Sequence, residues 1–248
     1  MLNSFKAKHY EIYDFIRSAF YALFLAMFIR SLIIQPFNIP SESMVPSLLV
    51  GDYIFVDKSA YGYSKYSFPF APDLFEGRIF STMPERGDVA VFRVVDDQNK
   101  DYIKRIVGLP GDKIQYIDGR LWVNGAQVPV KMLGPYDGRP LDPSAYNAPV
   151  FEETLDGKTY QTLDIYDGLP TDNTPIFEVP EGHFFVTGDN RDKSQDSRLM
   201  NGPVGFVPMD RLIGKAEIIF FSLDRENFLE VWKWPTAIRF NRIFKNID

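Results

Sequence analysis

The longest apolar stretch of the chain lies near its N-terminus. Residues 18–29 (SAFYALFLAMFI) carry no charge, and the stretch extends to nineteen residues, Ile16 to Ile34, when Arg30 is included. A helix of that length measures about 28 Å, which matches the hydrocarbon core of a bilayer. Arg17 and Arg30 would then extend toward opposite interfaces. The pattern predicts a transmembrane anchor, with a buried amphipathic helix as the alternative.

The basic residues that flank this stretch predict its orientation. Three lysines or arginines lie within the first seventeen residues. Near the other end of the stretch, Arg30 is the only lysine or arginine before Lys58. Because cytoplasmic flanks carry the excess of positive charge, we expect a cytoplasmic N-terminus and a large domain on the other side of the membrane. No A-x-A-like site follows the stretch, which favours an uncleaved anchor over a removable export signal.

Beyond the anchor, apolar and polar residues alternate in short runs that are typical of β-strands. The 22 Phe and 13 Tyr residues also favour β structure. Pro36 or Pro40 is expected to end the helix. The predicted strands are residues 53–57, 88–93, 102–107, 113–123 (a hairpin with an Asp118-Gly119 turn), 159–165, 183–187 and 215–221.

The domain organisation follows from changes in composition along the chain. Residues 1–36 form the N-terminus and anchor, and residues 37–248 form the large domain. Asp, Gly, Pro and Tyr dominate the middle of that domain, which predicts an inserted β-rich subdomain at about residues 124–181. Residues 228–244 interleave aromatic and basic residues, so this segment either packs on the domain or contacts lipid.

The composition excludes several kinds of chemistry. The net charge of −6 argues against a nucleic-acid partner. The absence of cysteine and of an H-E-x-x-H motif disfavours thiolate and zinc-hydrolase sites. The two histidines are His9, which precedes the anchor, and His183. A Ser-His-Asp triad is therefore disfavoured, and lysine is the natural candidate for the base of a serine nucleophile.

Two segments contain candidate reactive residues. Ser43 lies in IPSESMVPSLLVGDYI (residues 39–54), and Lys104 lies in DYIKRIVGLPGDK (residues 101–113). Taken alone, Ser43 is more typical of a turn than of a nucleophile, and Lys104 is more typical of an outward-facing residue in an alternating strand. A calcium loop at residues 189–192 is disfavoured because Arg191 occupies a position that should supply oxygen, and no glutamate follows at the twelfth position.

Both segments resemble signature boxes of bacterial type I signal peptidases. Residues 86–92 (RGDVAVF) and 188–198 (GDNRDKSQDSR) resemble two further boxes, and all four occur in the family's order after one anchor. The resemblance implies a mainly β fold, with an N-terminal transmembrane helix, a two-sheet antiparallel catalytic core and the inserted subdomain. It implies a serine endopeptidase of the bacterial inner membrane, with a periplasmic catalytic domain, that removes signal peptides from exported preproteins after an A-x-A-like site. The partners implied are preproteins and the lipid bilayer, without a cofactor, a metal or an obligate protein partner.

The resemblance also assigns roles to individual residues. It makes Ser43 the nucleophile and Lys104 the general base, whose pKa must then fall by about two units from about 10.4 for the amine to be neutral. The other implied roles belong to Ser41 (oxyanion hole), Ser194 (orienting the lysine), Asp196 and Arg198 (a structural ion pair), and Ile39, Pro40, Met44, Leu48, Tyr102 and Ile103 (substrate binding). The substrate backbone is expected to add as a strand beside residues 37–40 and 101–103. Glu42 departs from the glycine of many relatives and is expected to face solvent.

Two other functions agree with parts of the sequence. A Ser-Lys peptidase that cleaves itself, as some repressors do, is disfavoured by the anchor and by the acidic net charge. A non-enzymatic, membrane-anchored β-domain that scaffolds exported proteins is the alternative from another class. It predicts that replacement of Ser43 or Lys104 leaves the function intact.

Overall fold

An N-terminal helix leads into a domain built of antiparallel β-strands. The computed structural model describes residues 2–68, 71–73, 75–94, 100–138, 145–224 and 234–247. The elements are α1 Leu2–Leu32, β1 Ile34–Asn38, β2 Asp52–Asp57, β3 Val89–Val94, β4 Lys100–Gly108, β5 Lys113–Ile117, β6 Arg120–Val123, β7 Ala126–Gln127, β8 Val130–Pro135, β9 Pro149–Leu155, β10 Lys158–Leu163, β11 Phe177–Glu178, β12 His183–Thr187, β13 Val207–Pro208, β14 Leu212–Ser222, α2 Trp234–Ala237 and β15 Lys245–Asn246.

Helix α1 has the length and composition of a membrane span. Residues Ile12–Leu32 have a mean hydropathy of 1.6, and no part of this segment is buried against the domain. The alternative of an amphipathic helix buried in the domain is therefore wrong. The end of the helix is fixed to the domain, because the Tyr63 hydroxyl donates to the Leu32 carbonyl at 2.6 Å and the Lys58 amine donates to the Arg30 carbonyl at 3.2 Å.

The prediction that Pro36 or Pro40 ends the helix is wrong. The helix ends at Leu32, and Pro36 lies inside β1, opposite Phe55 of β2. Strand β1 tolerates this proline because it is the outermost strand of its sheet, where a missing N–H can face away from the neighbouring strand.

The largest sheet carries most of the strands that the alternation predicted. Its order is β1-β2-β14-β3-β4-β12-β13, with β15 also paired to β14, and its pairs are antiparallel. The predicted strands at 53–57, 88–93, 102–107, 183–187 and 215–221 are confirmed as β2, β3, β4, β12 and β14. The mainly β, antiparallel fold is confirmed with them.

Two smaller sheets come from the middle of the chain. One has the order β11-β5-β6-β7 and contains the predicted hairpin, and the other has the order β10-β9-β8. The three-stranded sheet lies wholly within residues 124–181, whereas β11 from the same range pairs with β5, which precedes it. The division into an anchor at 1–36, a domain at 37–248 and an insert at 124–181 stays a prediction.

Candidate active site

Ser43 lies in a tight turn between β1 and β2. A 3-10 helix, Glu42–Met44, holds it there, and the Met44 side chain is fully buried in the core beneath the turn. The Ser43 carbonyl accepts a hydrogen bond of 3.1 Å from the Asn190 backbone N–H. A Cβ atom on Gly188 would lie 2.4 Å from the same carbonyl oxygen, so only glycine permits this approach. The segment of residues 188–198 thus packs directly against the Ser43 turn.

Lys104 reaches Ser43 from strand β4. It lies opposite Ala90 of β3 in the sheet register, and only 3% of the residue is exposed. Its Nζ atom is 2.7 Å from the Ser43 Oγ atom and 3.0 Å from the Ile103 carbonyl oxygen. The interpretation of Lys104 as an outward-facing strand residue is therefore wrong. A buried amine and a hydroxyl lie within hydrogen-bond distance, although 61 residues separate them in sequence.

Burial sets the protonation of this lysine. Desolvation of the ammonium lowers the pKa of Lys104 to about 8, while the carboxylates of Asp196 and Asp189 partly oppose this and Arg198 adds to it. About half of the amine is then neutral at pH 8, and a neutral amine accepts a proton. The Glu42 carboxylate is half-buried, and it adds to the effect of burial, which raises the pKa of Tyr136.

Two buried ion pairs support the site from beneath. Asp196 and Arg198 pair at 3.0 Å through two contacts, and the Asp196 carboxylate also accepts the Gly188 N–H at 3.0 Å. Arg105 makes two contacts of 2.8 Å to Asp189 and is completely buried. The geometry of both pairs is that of a planar guanidinium against a carboxylate, which fixes orientation as well as charge.

The Arg105–Asp189 ion pair has no counterpart among the roles predicted from the sequence. Asp189 stands in the recognised box and Arg105 directly follows Lys104, but 84 residues separate the two. A charged residue inside an otherwise apolar strand is the signal that could have indicated a buried partner.

The two remaining serines lie close to Ser43, with different surroundings. The Ser41 hydroxyl is exposed and lies 3.4 Å from the Ser43 hydroxyl. The Ser194 hydroxyl is buried beside Gly188. It has no hydrogen-bond partner among the residues that the structure describes.

A cleft of about 470 Å³ opens in front of Ser43 and Lys104. Its lining consists of Phe37, Asn38, Ile39, Pro40, Ser41, Ser43, Ile54, Val91, Lys100, Asp101, Tyr102, Ile103, Lys104, Lys193 and Gln195. Four of the predicted substrate-binding residues are in this lining. Met44 and Leu48 are not part of it, and both are fully buried in the core. Their placement does not support a role in the substrate pocket.

The described residues also contain one group of carboxylates that could hold a cation. Oxygen atoms of Asp164, Asp172 and Asp192 lie within 4.8 Å of one another. None of the three lines the cleft in which Ser43 and Lys104 meet.

Comparison with known proteins identifies the family. The family model described as "Signal peptidase, peptidase S26" matches residues 12–221, which is most of the chain. The chain belongs to this family. Proteins named Signal peptidase I from Rickettsia prowazekii (strain Madrid E) and Rickettsia typhi (strain ATCC VR-144 / Wilmington) are each 42% identical to it, over 92% of this chain and 90% of theirs. A crystal structure of a signal peptidase I from Enterococcus faecalis V583 is also similar, at 25% identity and a TM-score of 0.33, over 54% of this chain and 97% of that one.

Membership confirms the resemblance that the four sequence boxes indicated. The family and its relatives support a peptidase that takes part in the removal of signal peptides. Together with the apolar helix α1, they indicate a membrane-anchored protein.

Proposed function

We propose that this chain is a serine endopeptidase that removes signal peptides from exported preproteins, with Ser43 as nucleophile and neutral Lys104 as general base. The observation that carries the proposal is the 2.7 Å distance between Lys104 Nζ and Ser43 Oγ, both on buried residues at the wall of the cleft. A nucleophile within hydrogen-bond reach of a base with a suitable pKa is the minimum that acyl transfer requires.

The proposed reaction has two halves. In the first, Ser43 Oγ attacks the scissile carbonyl carbon while Lys104 takes the hydroxyl proton, and the resulting ammonium then protonates the leaving amine. In the second, Lys104 takes a proton from a water molecule, and the resulting hydroxide attacks the carbonyl carbon of the acyl-enzyme. The Lys104 ammonium then returns the proton to Ser43 Oγ as the signal peptide leaves with a free carboxylate. Each half consumes and regenerates the neutral amine.

Two donors are proposed for the oxyanion. The Ser41 hydroxyl lies beside Ser43 Oγ and is exposed to the cleft. The backbone N–H of Ser43 lies in the first turn of its 3-10 helix, where N–H groups have no partner within the helix. Donors that already point to the developing charge stabilise the transition state more than the ground state.

Ser194, Asp196 and Arg198 are proposed to position Lys104 rather than to react. The Ser194 hydroxyl lies against Gly188 beside the Ser43 carbonyl, and this proximity to the Ser43 turn supports the proposed role. The Asp196–Arg198 pair holds the segment around Gly188 in place through the Gly188 N–H.

The substrate is proposed to enter the cleft as an extended strand. Strand β1 is outermost in its sheet, and β12 pairs with β4 from Arg105 onward, so β12 does not cover the part of β4 before that residue. Both strands contribute to the cleft lining. Ile39, Pro40, Tyr102 and Ile103 supply apolar walls for the small side chains of an A-x-A-like site.

The anchor is proposed to cross the bacterial inner membrane once, with the N-terminus in the cytoplasm and the catalytic domain in the periplasm. The excess of basic residues before the span supports this orientation. The site is then held near the bilayer in which a signal peptide is embedded.

Cleavage of a preprotein with an A-x-A site in detergent tests the proposal. We expect the parent protein to cut it, and Ser43→Ala and Lys104→Met to lose activity by at least about 10³-fold with their melting temperatures retained. Lys58→Met is the matched control, because Lys58 is also buried and burial also lowers its pKa to about 8. It donates to carbonyl and amide oxygens away from the cleft, so this variant should cut normally.

Two results would contradict the proposal. Cleavage by folded Ser43→Ala and Lys104→Met variants would require another nucleophile. Failure of the well-folded parent to cut any preprotein, while it still binds them, would favour the non-enzymatic scaffold.

A further inference from the structure

The turn that carries Ser43 is held by a part of the chain far from it in sequence. Residues 234–247, the described C-terminal segment, lie against the loop of residues 39–52 that joins β1 to β2. The centre of this contact is Asp52, which is completely buried. The segment lies outside the residues that match the family model, which end at 221.

Arg242 makes the strongest contacts to this loop. Its Nη2 atom lies 2.6 Å from Asp52 Oδ2 and its Nε atom lies 3.0 Å from Asp52 Oδ1, a bidentate arrangement. The same Nη2 atom also donates to the Ser47 carbonyl at 2.9 Å. One guanidinium therefore fixes both the end of the loop and a point four residues after Ser43.

The remaining bonds of Asp52 hold the loop closed. The Leu49 N–H donates to Asp52 Oδ2 at 2.8 Å, and the Ser222 hydroxyl donates to Oδ1 at 2.6 Å. The Asp52 carbonyl accepts the Ile39 N–H at 2.9 Å, which joins the first residue of the loop to the last. Arg239 adds a bond of 2.7 Å to the Val50 carbonyl.

A continuous set of hydrogen-bonded turns connects these contacts with Ser43. The Leu48 N–H donates to the Met44 carbonyl at 2.8 Å, and the Val45 N–H donates to the Glu42 carbonyl at 3.1 Å. A shift of the Ser47 carbonyl therefore moves the 3-10 helix that carries Ser43. A displacement of about 1 Å at a reacting atom can lower a rate by about 10²-fold.

We propose that Arg242 is a positioning residue, which acts through Asp52 and the Ser47 carbonyl to set the distance between Ser43 Oγ and Lys104 Nζ. The inference rests on the proposed Ser43–Lys104 peptidase and adds a distant C-terminal residue to it. Stability alone is a poor reason for such a pair, because a buried ion pair often contributes no more than apolar residues of the same volume. A bidentate guanidinium instead supplies a fixed geometry.

The test compares Arg242→Gln and Arg242→Lys with Arg86→Gln. Arg86 is the matched control, because it makes two contacts of 2.8 Å to Asp112, which is also buried, but it does not touch the loop of residues 39–52 or line the cleft. Each variant is assayed on an A-x-A peptide well below its own melting temperature. We expect kcat to fall about 10- to 100-fold for both Arg242 variants, with KM within about twofold of the parent value. Arg86→Gln keeps the kcat of the parent.

A second comparison tests whether Arg242 acts through Asp52. If it does, Asp52→Asn lowers kcat by a similar factor, and the double variant with Arg242→Gln is no slower than the slower single variant. The acid limb of the pH–rate profile stays where it is in the parent, because Arg242 is not among the charges that shift the pKa of Lys104. Arg242→Lys keeps the positive charge beside Asp52, and its kcat tests the positioning role if Arg242→Gln does not fold.

The results separate this inference from the proposed function. If the parent and Arg86→Gln do not cleave, the proposed function fails. If both cleave and a folded Arg242 variant has the kcat of the parent, only the positioning role is overturned. A fall in kcat that is equal in Arg86→Gln, or losses that multiply in the double variant, would also overturn it.

Discussion

Two buried lysines differ in the partners of their amines, and this difference separates the proposed base from a structural residue. Burial lowers the pKa of both Lys58 and Lys104 to about 8. Lys58 donates to the Arg30 and Ser67 carbonyls and to the Gln35 amide oxygen, all of which favour its protonated form. Lys104 also donates to one carbonyl, that of Ile103, but its nearest partner is the hydroxyl of Ser43, a group that can donate a proton to it. The lowered pKa becomes useful for catalysis only where the partner has a proton to give.

The pKa of Lys104 predicts the pH dependence of cleavage. The amine must be neutral to act, so kcat/KM should rise with pH and level off above about 8, falling about tenfold per pH unit below that value. Glu42→Gln should leave the rise of kcat/KM at the same pH, since the charges that shift the pKa of Lys104 belong to Asp196, Asp189 and Arg198. Profiles of both proteins between about pH 6 and 9 check this. A flat parent profile, or a shifted limb in the variant, would contradict it.

The resemblance of the sequence boxes predicted the proximity of Ser43 and Lys104 better than it predicted the lining of the pocket. Met44 and Leu48 follow Ser43 closely and were expected to line the substrate site, but both are fully buried in the core. The direction of a side chain within a 3-10 turn depends on backbone angles that spacing does not reveal. Ile39, which directly follows β1, and Ile103, which lies in β4, do line the cleft.

At the scale of elements, the cleft is a product of sheet topology. Alternation predicted β2, β3, β4 and β12 because each has apolar residues on a buried face. It did not predict β1, whose Pro36 signals a break in the helix and equally suits an edge strand. Pairings between distant strands, such as β2 with β14, cannot be read from local patterns. The places of β1 and β4 beside the cleft follow from those pairings.

Substrate binding between strand edges predicts a dependence on backbone N–H groups. N-methylation of an A-x-A peptide at either of two successive residues before the cleavage site should lower kcat/KM by about 5- to 10-fold, because each lost hydrogen bond costs about 1 kcal/mol. A peptide methylated beyond the residues that fit the cleft is the control. Equal rates for all the peptides would rule out strand addition.

At the scale of the whole molecule, we expect the anchor to be separable from the rest of the chain. Residues Ile12–Leu32 are not buried by the domain, and the contacts of the helix end begin at the carbonyls of Arg30 and Leu32. The anchor was predictable because a mostly apolar stretch of nineteen residues, Ile16 to Ile34, has few other uses. The ion pair between Arg242 and Asp52 was not predictable, since 190 residues separate the two in sequence.

Removal of residues 1–29 tests this separation. We expect the shortened protein to melt within about 2 °C of the parent, because the removed segment contributes no buried surface over its described side chains. It should cleave a soluble peptide with the kcat/KM of the parent and no longer sediment with membranes. A large fall in melting temperature would show instead that the helix is part of the domain.

Direct detection of the acyl-enzyme tests the central claim most closely. A peptide ester ending in an A-x-A sequence, mixed with the parent and quenched by acid, should leave its acyl group on Ser43, as located by mass spectrometry of the digested protein. We expect no adduct with Ser43→Ala, and formation at least about 100-fold slower with Lys104→Met. An adduct on another residue, or turnover without any adduct on Ser43, would contradict the Ser43–Lys104 mechanism.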